Sequence, residues 1–137
     1  MKIVAIIPAH LNSIRFPRKI LFPIQGLPMI EHVRRRALLS QIYSDVIVAT
    51  CDSEISDLIK NNDGKVIMTS KKHINGTSRV AEAVNSINCT HIVLLQGDEP
   101  LILPNQLKIF NEAIISDPIC DAWNATGIIE DKIELDK

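Results

Sequence analysis

Aromatic residues are scarce in this chain: they make up 4% of 137 residues, and Trp123 is the sole tryptophan. That excludes a stacking platform for single-stranded nucleic acid. An excess of charge of one sign is also missing. Fifteen Lys and Arg stand against sixteen Asp and Glu, for a net charge of −1 and a sequence pI near 6.4. A basic footprint for duplex DNA or RNA is therefore absent, and no nucleic-acid partner is expected. The cysteines are Cys51, Cys89 and Cys120. They are odd in number and far apart, with no CxxC or Cys/His spacing for zinc. Three reduced thiols in a cytoplasmic protein are the expectation. No apolar run approaches the length of a transmembrane helix, so no membrane insertion is expected. Met1-Lys2 leads into only five apolar residues before Pro8, which is too few for a signal peptide. The glycine signatures of dinucleotide binding (Gly-x-Gly-x-x-Gly) and of P-loop NTPases are absent, as is the Gly-x-Ser-x-Gly hydrolase elbow.

What is present is an alternation of strand and helix patterns in a chain that is 46% hydrophobic. Ile3–Ile7 is a continuous apolar run, the mark of a strand buried on both faces. Residues 9–19 read as a loop, residues 21–24 as a short extended piece, and Gln25-Gly26 as a turn. Pro28 suits the first turn of a helix that runs to about Ser40. Further strands are expected at Asp45–Thr50, Lys65–Met68, His91–Leu95 and Asp121–Thr126. Helices are expected from Asp52 or Ser53 to Asn61, from a Thr77 cap to Ile87, and from Pro104 or Asn105 to Ser116. The sum is an α/β fold: a Rossmann-like, mostly parallel sheet with helices on both faces, in one domain, 1–137. Gly127–Lys137 is charged and leaves the pattern unresolved.

Two strand exits carry chemistry. After the first strand come Arg15 and Lys19, a fork that fits phosphate oxygens and a mobile point charge. After the fourth strand comes Gln96-Gly97-Asp98-Glu99-Pro100. There Asp98 can hold Mg²⁺ together with phosphate oxygens and water. Gln96 can read a base edge, and Gly97 permits close backbone approach to a ligand. An α/β sheet binds its ligands at the carboxyl ends of its strands, so both segments belong to one candidate site. A third segment, His73-Ile74-Asn75-Gly76-Thr77-Ser78-Arg79, sets Gly76 before a helix start, where backbone N–H groups are free for an anion or a polar base. Solvated surface cations, an ordinary acidic turn and a structural histidine are the bland alternatives for these three segments.

Three blocks together resemble the 3-deoxy-manno-octulosonate cytidylyltransferase family, to which acylneuraminate cytidylyltransferases are related. They are Ile-Ile-Pro-Ala-x3-Ser-Ile-Arg-Phe-Pro-x-Lys (Ile6–Lys19), His-x-x-Gly-Thr-x-Arg-x-Ala-Glu (His73–Glu82) and Gln-Gly-Asp-Glu-Pro (Gln96–Pro100). Gly-x-Pro-Met-Ile-x-His-Val (Gly26–Val33) supports them. The resemblance implies a nucleotide-diphospho-sugar transferase type of fold and transfer of CMP from CTP to an acidic 2-keto sugar, with release of pyrophosphate. The product serves lipopolysaccharide or surface polysaccharide synthesis. CTP and the sugar are the implied partners, Mg²⁺ the implied cofactor and a homodimer the implied assembly. The implied catalytic residues are Arg15 and Lys19. The implied nucleotide-binding set is Pro8, Ala9, His10, Ser13, Arg15, Lys19, His73, Gly76, Thr77, Arg79 and Gln96, with Asp98 as metal ligand. His10 stands where the family usually has arginine, and a histidine with a reference pKa of about 6.5 is mostly neutral at pH 7. Arg18 stands where glycine is common. The family is longer, and a second metal-binding aspartate and much of the sugar site lie beyond the part represented here. A different acidic acceptor, or a non-catalytic nucleotide-binding remnant, are the alternative readings.

Overall fold

The structure, a computed structural model, describes residues 1–127. In chain order its elements are β1 (Ile3–Ala9), a 3-10 turn (Lys19–Leu21), β2 (Pro23–Ile24), β3 (Leu27–Pro28), α1 (Met29–Leu39), β4 (Asp45–Thr50) and α2 (Ser53–Asn61). These are followed by β5 (Lys65–Met68), α3 (Gly76–Val84), β6 (His91–Leu94) and α4 (Pro104–Ser116).

All seven residues of β1 are buried. β1 pairs in parallel with β4 on one side and with β6 on the other, in a sheet ordered β5-β4-β1-β6. Its β-branched, apolar sequence suits a strand covered on both faces. Ile3, Ala5, Ile7 and Ala9 meet Ile30, Val33 and Ala37 of α1, Ile55 and Ile59 of α2, and Leu107 and Ile114 of α4. Val4 and Ile6 point the other way, against Val80 and Ala83 of α3. Helices thus cover both faces, as the alternating pattern requires. Each fully buried Ile or Val contributes roughly 1.5–3 kcal/mol of transfer free energy.

The strand order reverses at β1. From β1 the chain steps outward to β4 and β5, then α3 carries it back to β6 on the opposite side. The exits of β1 and β6 are therefore neighbours at a topological switch point, where open α/β sheets bind ligands. The β1–β6 ladder ends at Ile6 opposite Leu94, and the Leu95 N–H donates to Ile6 O at 3.0 Å. Pro8, which lacks an N–H, lies just past that last pair.

Several boundaries differ from the sequence expectation. β1 extends to Ala9 because Pro8 and Ala9 stay in register with Ala49 and Thr50 of β4. The Gln25-Gly26 turn has positive φ at both residues, 49° and 78°, and joins β2 to β3 as a tight hairpin. His32 Nε2 donates to Ile24 O at 2.8 Å and ties that hairpin to α1. The α3 cap is Asn75, whose side chain accepts the Ser78 N–H at 2.8 Å, and not Thr77. α3 stops at Val84, and the N–H groups of Asn85, Ser86 and Ile87 bond three residues back in a 3-10-type tail. The expected strand at Asp121–Thr126 is absent. No strand pairs with that segment among the described residues, and it is anchored instead by Trp123, whose ring lies 6.0 Å from that of His91. Residues 128–137, most of the unresolved Gly127–Lys137 pattern, lie outside the described residues.

One buried charge cluster locks α1 to α2. Glu31 is fully buried. It accepts from Arg34 Nε at 2.5 Å, from an Arg34 terminal nitrogen at 3.0 Å and from Arg35 Nε at 2.9 Å. Arg34 also donates to Asn62 O at 2.8 Å, at the end of α2. Gly64 is required beneath it, since a Cβ there would stand 2.4 Å from Ile59 Cγ2 and 3.2 Å from Arg34 Cζ. Removing one partner of such a cluster strands the other charge in a low-dielectric interior. Glu31→Ala is expected to cost about 3–5 kcal/mol of unfolding free energy, read as a lower urea midpoint at unchanged m-value.

Candidate active site

Pro8, His10, Ser13, Lys19, Ile20, Gly76, Gln96, Gly97 and Asp98 line a cavity of about 130 Å³ at the exits of β1 and β6. Seven of the residues expected from sequence therefore converge: Pro8, His10, Ser13, Lys19, Gly76, Gln96 and Asp98. Residues almost eighty positions apart meet here, with Lys19 Nζ donating to Asp98 Oδ2 at 2.5 Å. A slightly larger cavity, about 170 Å³, lies at the amino ends of β4 and β5. Of its charged lining, Lys65 pairs with Asp45 and Arg34 with Glu31, and the cavity lies away from the strand exits.

The segment after β1 is shaped by its own backbone and by α2. The Leu11 N–H donates to Asp52 Oδ2 at 2.9 Å, so Asp52 holds the loop instead of capping α2 with its side chain. The N–H of Arg18 closes back on Leu11 O at 3.1 Å, and the Phe16 and Phe22 rings sit 5.3 Å apart. Arg18 is left-handed, φ 60° and ψ 22°. That conformation costs an L-residue about 1–2 kcal/mol and accounts for glycine's suitability at this position. The Arg18 guanidinium pairs with Glu54 of α2, which holds the Glu54 carboxyl below its ordinary range through a hydrogen bond. Engaged there, Arg18 is not part of the cavity lining.

Ile20, which sequence reasoning missed, sets Lys19 in place. It is buried directly over Gly97, where an added Cβ would come within 2.7 Å of Ile20 Cδ1. The missing Cβ of Gly97 therefore makes room for the Ile20 side chain, while its backbone still lines the cavity. The only advance signal was an apolar residue beside a candidate cation. Gly76 is held close in the same manner, since a Cβ there would lie 2.9 Å from Pro8 Cγ. The carboxyl end of β1 and the amino end of α3 are in contact at this point.

Five expected residues are not in the cavity lining. Ala9 is buried at the end of β1, and Thr77 is exposed on the first turn of α3. Arg15 is exposed on the loop that the Arg18-to-Leu11 hydrogen bond closes, so it does not share the Lys19 wall. His73 pairs through Nε2 with Glu82, and Arg79 is buried, donating to Thr69 Oγ1 at 2.5 Å and to Ser70 O at 3.3 Å. Glu82 also accepts the Ser70 N–H at 3.1 and 3.2 Å. These contacts fasten residues 69–73 onto α3. Glu82 was not singled out from the sequence, although it closes the second motif.

The hydrogen bond from His73, followed by that from the Ser70 N–H, holds the Glu82 carboxyl below its ordinary value of 4.5. A depressed carboxyl contributes stability that is present above the unfolded value and is lost as pH falls through the folded one. Wild-type stability should therefore carry an acid-labile component below about pH 4.5, which Glu82→Gln removes. Chemical denaturation at a series of pH values from 6 down to 3 checks this: the two proteins should converge as the pH falls.

Residues 4–118 match a protein-family model described as cytidylyltransferase. The 3-deoxy-manno-octulosonate cytidylyltransferase of Trichlorobacter lovleyi is 44% identical over 118 residues, 86% of this chain and 47% of that protein. The 8-amino-3,8-dideoxy-manno-octulosonate cytidylyltransferase of Shewanella piezotolerans is 44% identical over 111 residues, 79% of this chain and 45% of that protein. A solved structure of CMP:2-keto-3-deoxy-manno-octonic acid synthetase complexed with CTP superposes with a TM-score of 0.84 at 38% identity, covering 87% of this chain and 49% of that one. The chain spans about half the length of the curated relatives it matches. With the family model spanning β1 through α4, the chain belongs to the cytidylyltransferase family.

Proposed function

We propose that this chain supplies the CTP-binding part of an enzyme that transfers CMP from CTP to an acidic 2-keto sugar of the octulosonate type and releases pyrophosphate. The observation that carries the reading is the meeting of Lys19, Gln96 and Asp98 in one cavity at the β1/β6 switch point. In the reaction, the anomeric hydroxyl of the sugar attacks the α-phosphorus and the bond to the pyrophosphate oxygen breaks. Negative charge builds on the leaving pyrophosphate. Lys19 neutralises part of it, and this preorganised charge, more than any covalent chemistry by the protein, lowers the barrier. Gln96 offers its amide to the cytosine edge, and Pro8 and Ala9 offer their backbone. His10, Ser13 and the amino end of α3 at Gly76 line the remaining wall. Arg15 reaches the triphosphate only from the exposed loop, so its contribution depends on movement of residues 10–18 toward the nucleotide.

Among the described residues there is no cluster of three or more His, Cys, Asp or Glu suited to a metal. A single exposed carboxylate still fits Mg²⁺, which takes one or two protein carboxylates and completes its shell with phosphate oxygens and water. Asp98 is the residue that would hold it. The metal would further neutralise phosphate charge.

The relative named for the 8-amino sugar matches as well as the one named for 3-deoxy-manno-octulosonate, at 44% identity each. That observation favours keeping the amino-sugar acid as a second acceptor. Because the chain covers about half of these relatives, binding and turnover are measured separately. Titration calorimetry with CTP and Mg²⁺ is expected to show saturable binding. Pyrophosphate release is expected with 3-deoxy-manno-octulosonate or its 8-amino analogue as acceptor. Binding without release from either sugar would favour a nucleotide-binding remnant, and the absence of CTP binding would end the reading. In a protein that turns over, Lys19→Ala should lower kcat by about 10²–10³, the cost of deleting one preorganised charge partner. Unchanged kcat would remove Lys19 from the site.

A further inference from the structure

Lys19 and Asp98, the proposed phosphate cation and the proposed metal ligand, are bonded to each other at 2.5 Å. Each is only partly buried, with side chains 33% and 41% exposed. Such a pair is weak, about 0.2–1 kcal/mol, and is open to exchange. The lysine backbone is fixed by the 3-10 turn and by Ile20 packed over Gly97. The ammonium itself rides on a flexible four-carbon stem. It can therefore change partners without the loop refolding.

We propose that the Lys19–Asp98 ion pair couples metal binding to triphosphate binding by exchange of partners; this rests on the reading of Asp98 as the metal ligand. A divalent cation arriving alone must take the carboxylate from an ammonium that has nowhere better to go. A triphosphate gives Lys19 a second anion and releases Asp98. The two ligands then reinforce each other, and the metal is captured as its nucleotide complex. By linkage the effect is reciprocal: metal raises nucleotide affinity by the same factor that nucleotide raises metal affinity. No proton or covalent bond is exchanged; two ion contacts replace one.

The test is metal binding to the full chain, measured with Mn²⁺ by electron paramagnetic resonance, with and without CTP. Without CTP, Lys19→Gln is expected to bind Mn²⁺ tighter than wild type by up to about fivefold, the ceiling that a pair of this exposure sets. Lys19→Arg, which keeps the cation, should stay near wild type. With CTP, wild-type Mn²⁺ affinity should rise, while Lys19→Gln should gain much less. Asp98→Asn should abolish the site in every background. Mn²⁺ binding that Asp98→Asn leaves unchanged would overturn the ligand role of Asp98 and the exchange with it. Binding that depends on Asp98 but is unchanged or weaker in Lys19→Gln would overturn the exchange alone and leave the nucleotide-binding reading standing.

Discussion

The structure depends on β1 being enclosed on all sides. Parallel neighbours flank it at both edges, and helices cover both of its faces. A strand in that position has no freedom of register, because a slip by one residue would exchange the Ile3, Ala5, Ile7 set with the Val4, Ile6 set. The fixed register sends Pro8 and the loop that follows out of the sheet beside the end of β6. Everything chemical in the molecule follows from that adjacency. Lys19 and Asp98 are 79 positions apart in sequence, and only the reversal of strand order at β1 brings their backbones to the same rim.

Charge is used differently in two places. At Glu31 it is buried, with two arginines satisfying a carboxylate that would otherwise be costly in the interior and Asn62 accepting from both arginines in turn. This cluster joins α1 to the turn after α2 and lies at the end of the sheet away from the cavity. At Lys19 and Asp98 charge is left partly in water, where a pair is cheap to break. The first arrangement suits permanence and the second suits exchange. The contrast separates the scaffold from the part proposed to respond to a ligand.

Much of this was legible beforehand, for identifiable reasons. A continuous apolar run followed by a proline marks a buried strand and its end, and alternation with helical spacing points to a parallel sheet covered by helices. Gln25-Gly26 announced a turn because glycine accepts positive φ at no steric cost. The carboxyl-end rule was enough to join Lys19 to Asp98. What could not be read was burial of polar groups. Glu31 and Arg34 look like ordinary helix-surface charges, while His73 and Arg79 look like candidate ligands until Glu82 is found beside the one and Thr69 beside the other. Asn75 and Thr77 are comparable caps in sequence, and only the Ser78 contact decides between them. Asp121–Thr126 has some strand character in Trp123 and Thr126, but a strand exists only where a ladder partner does.

The two faces of the sheet are unequally protected. Among the described residues, sixteen buried side chains make up the cluster under α1, α2 and α4, whereas six make up the one under α3. α3 is short, holds the sheet through Val80 and Ala83, and also forms one wall of the cavity through Gly76. The wall a nucleotide would touch thus belongs to the thinner side of the core. A nucleotide bound at that mouth would brace the thinner side, and quieter amide hydrogen exchange along α3 would be its trace.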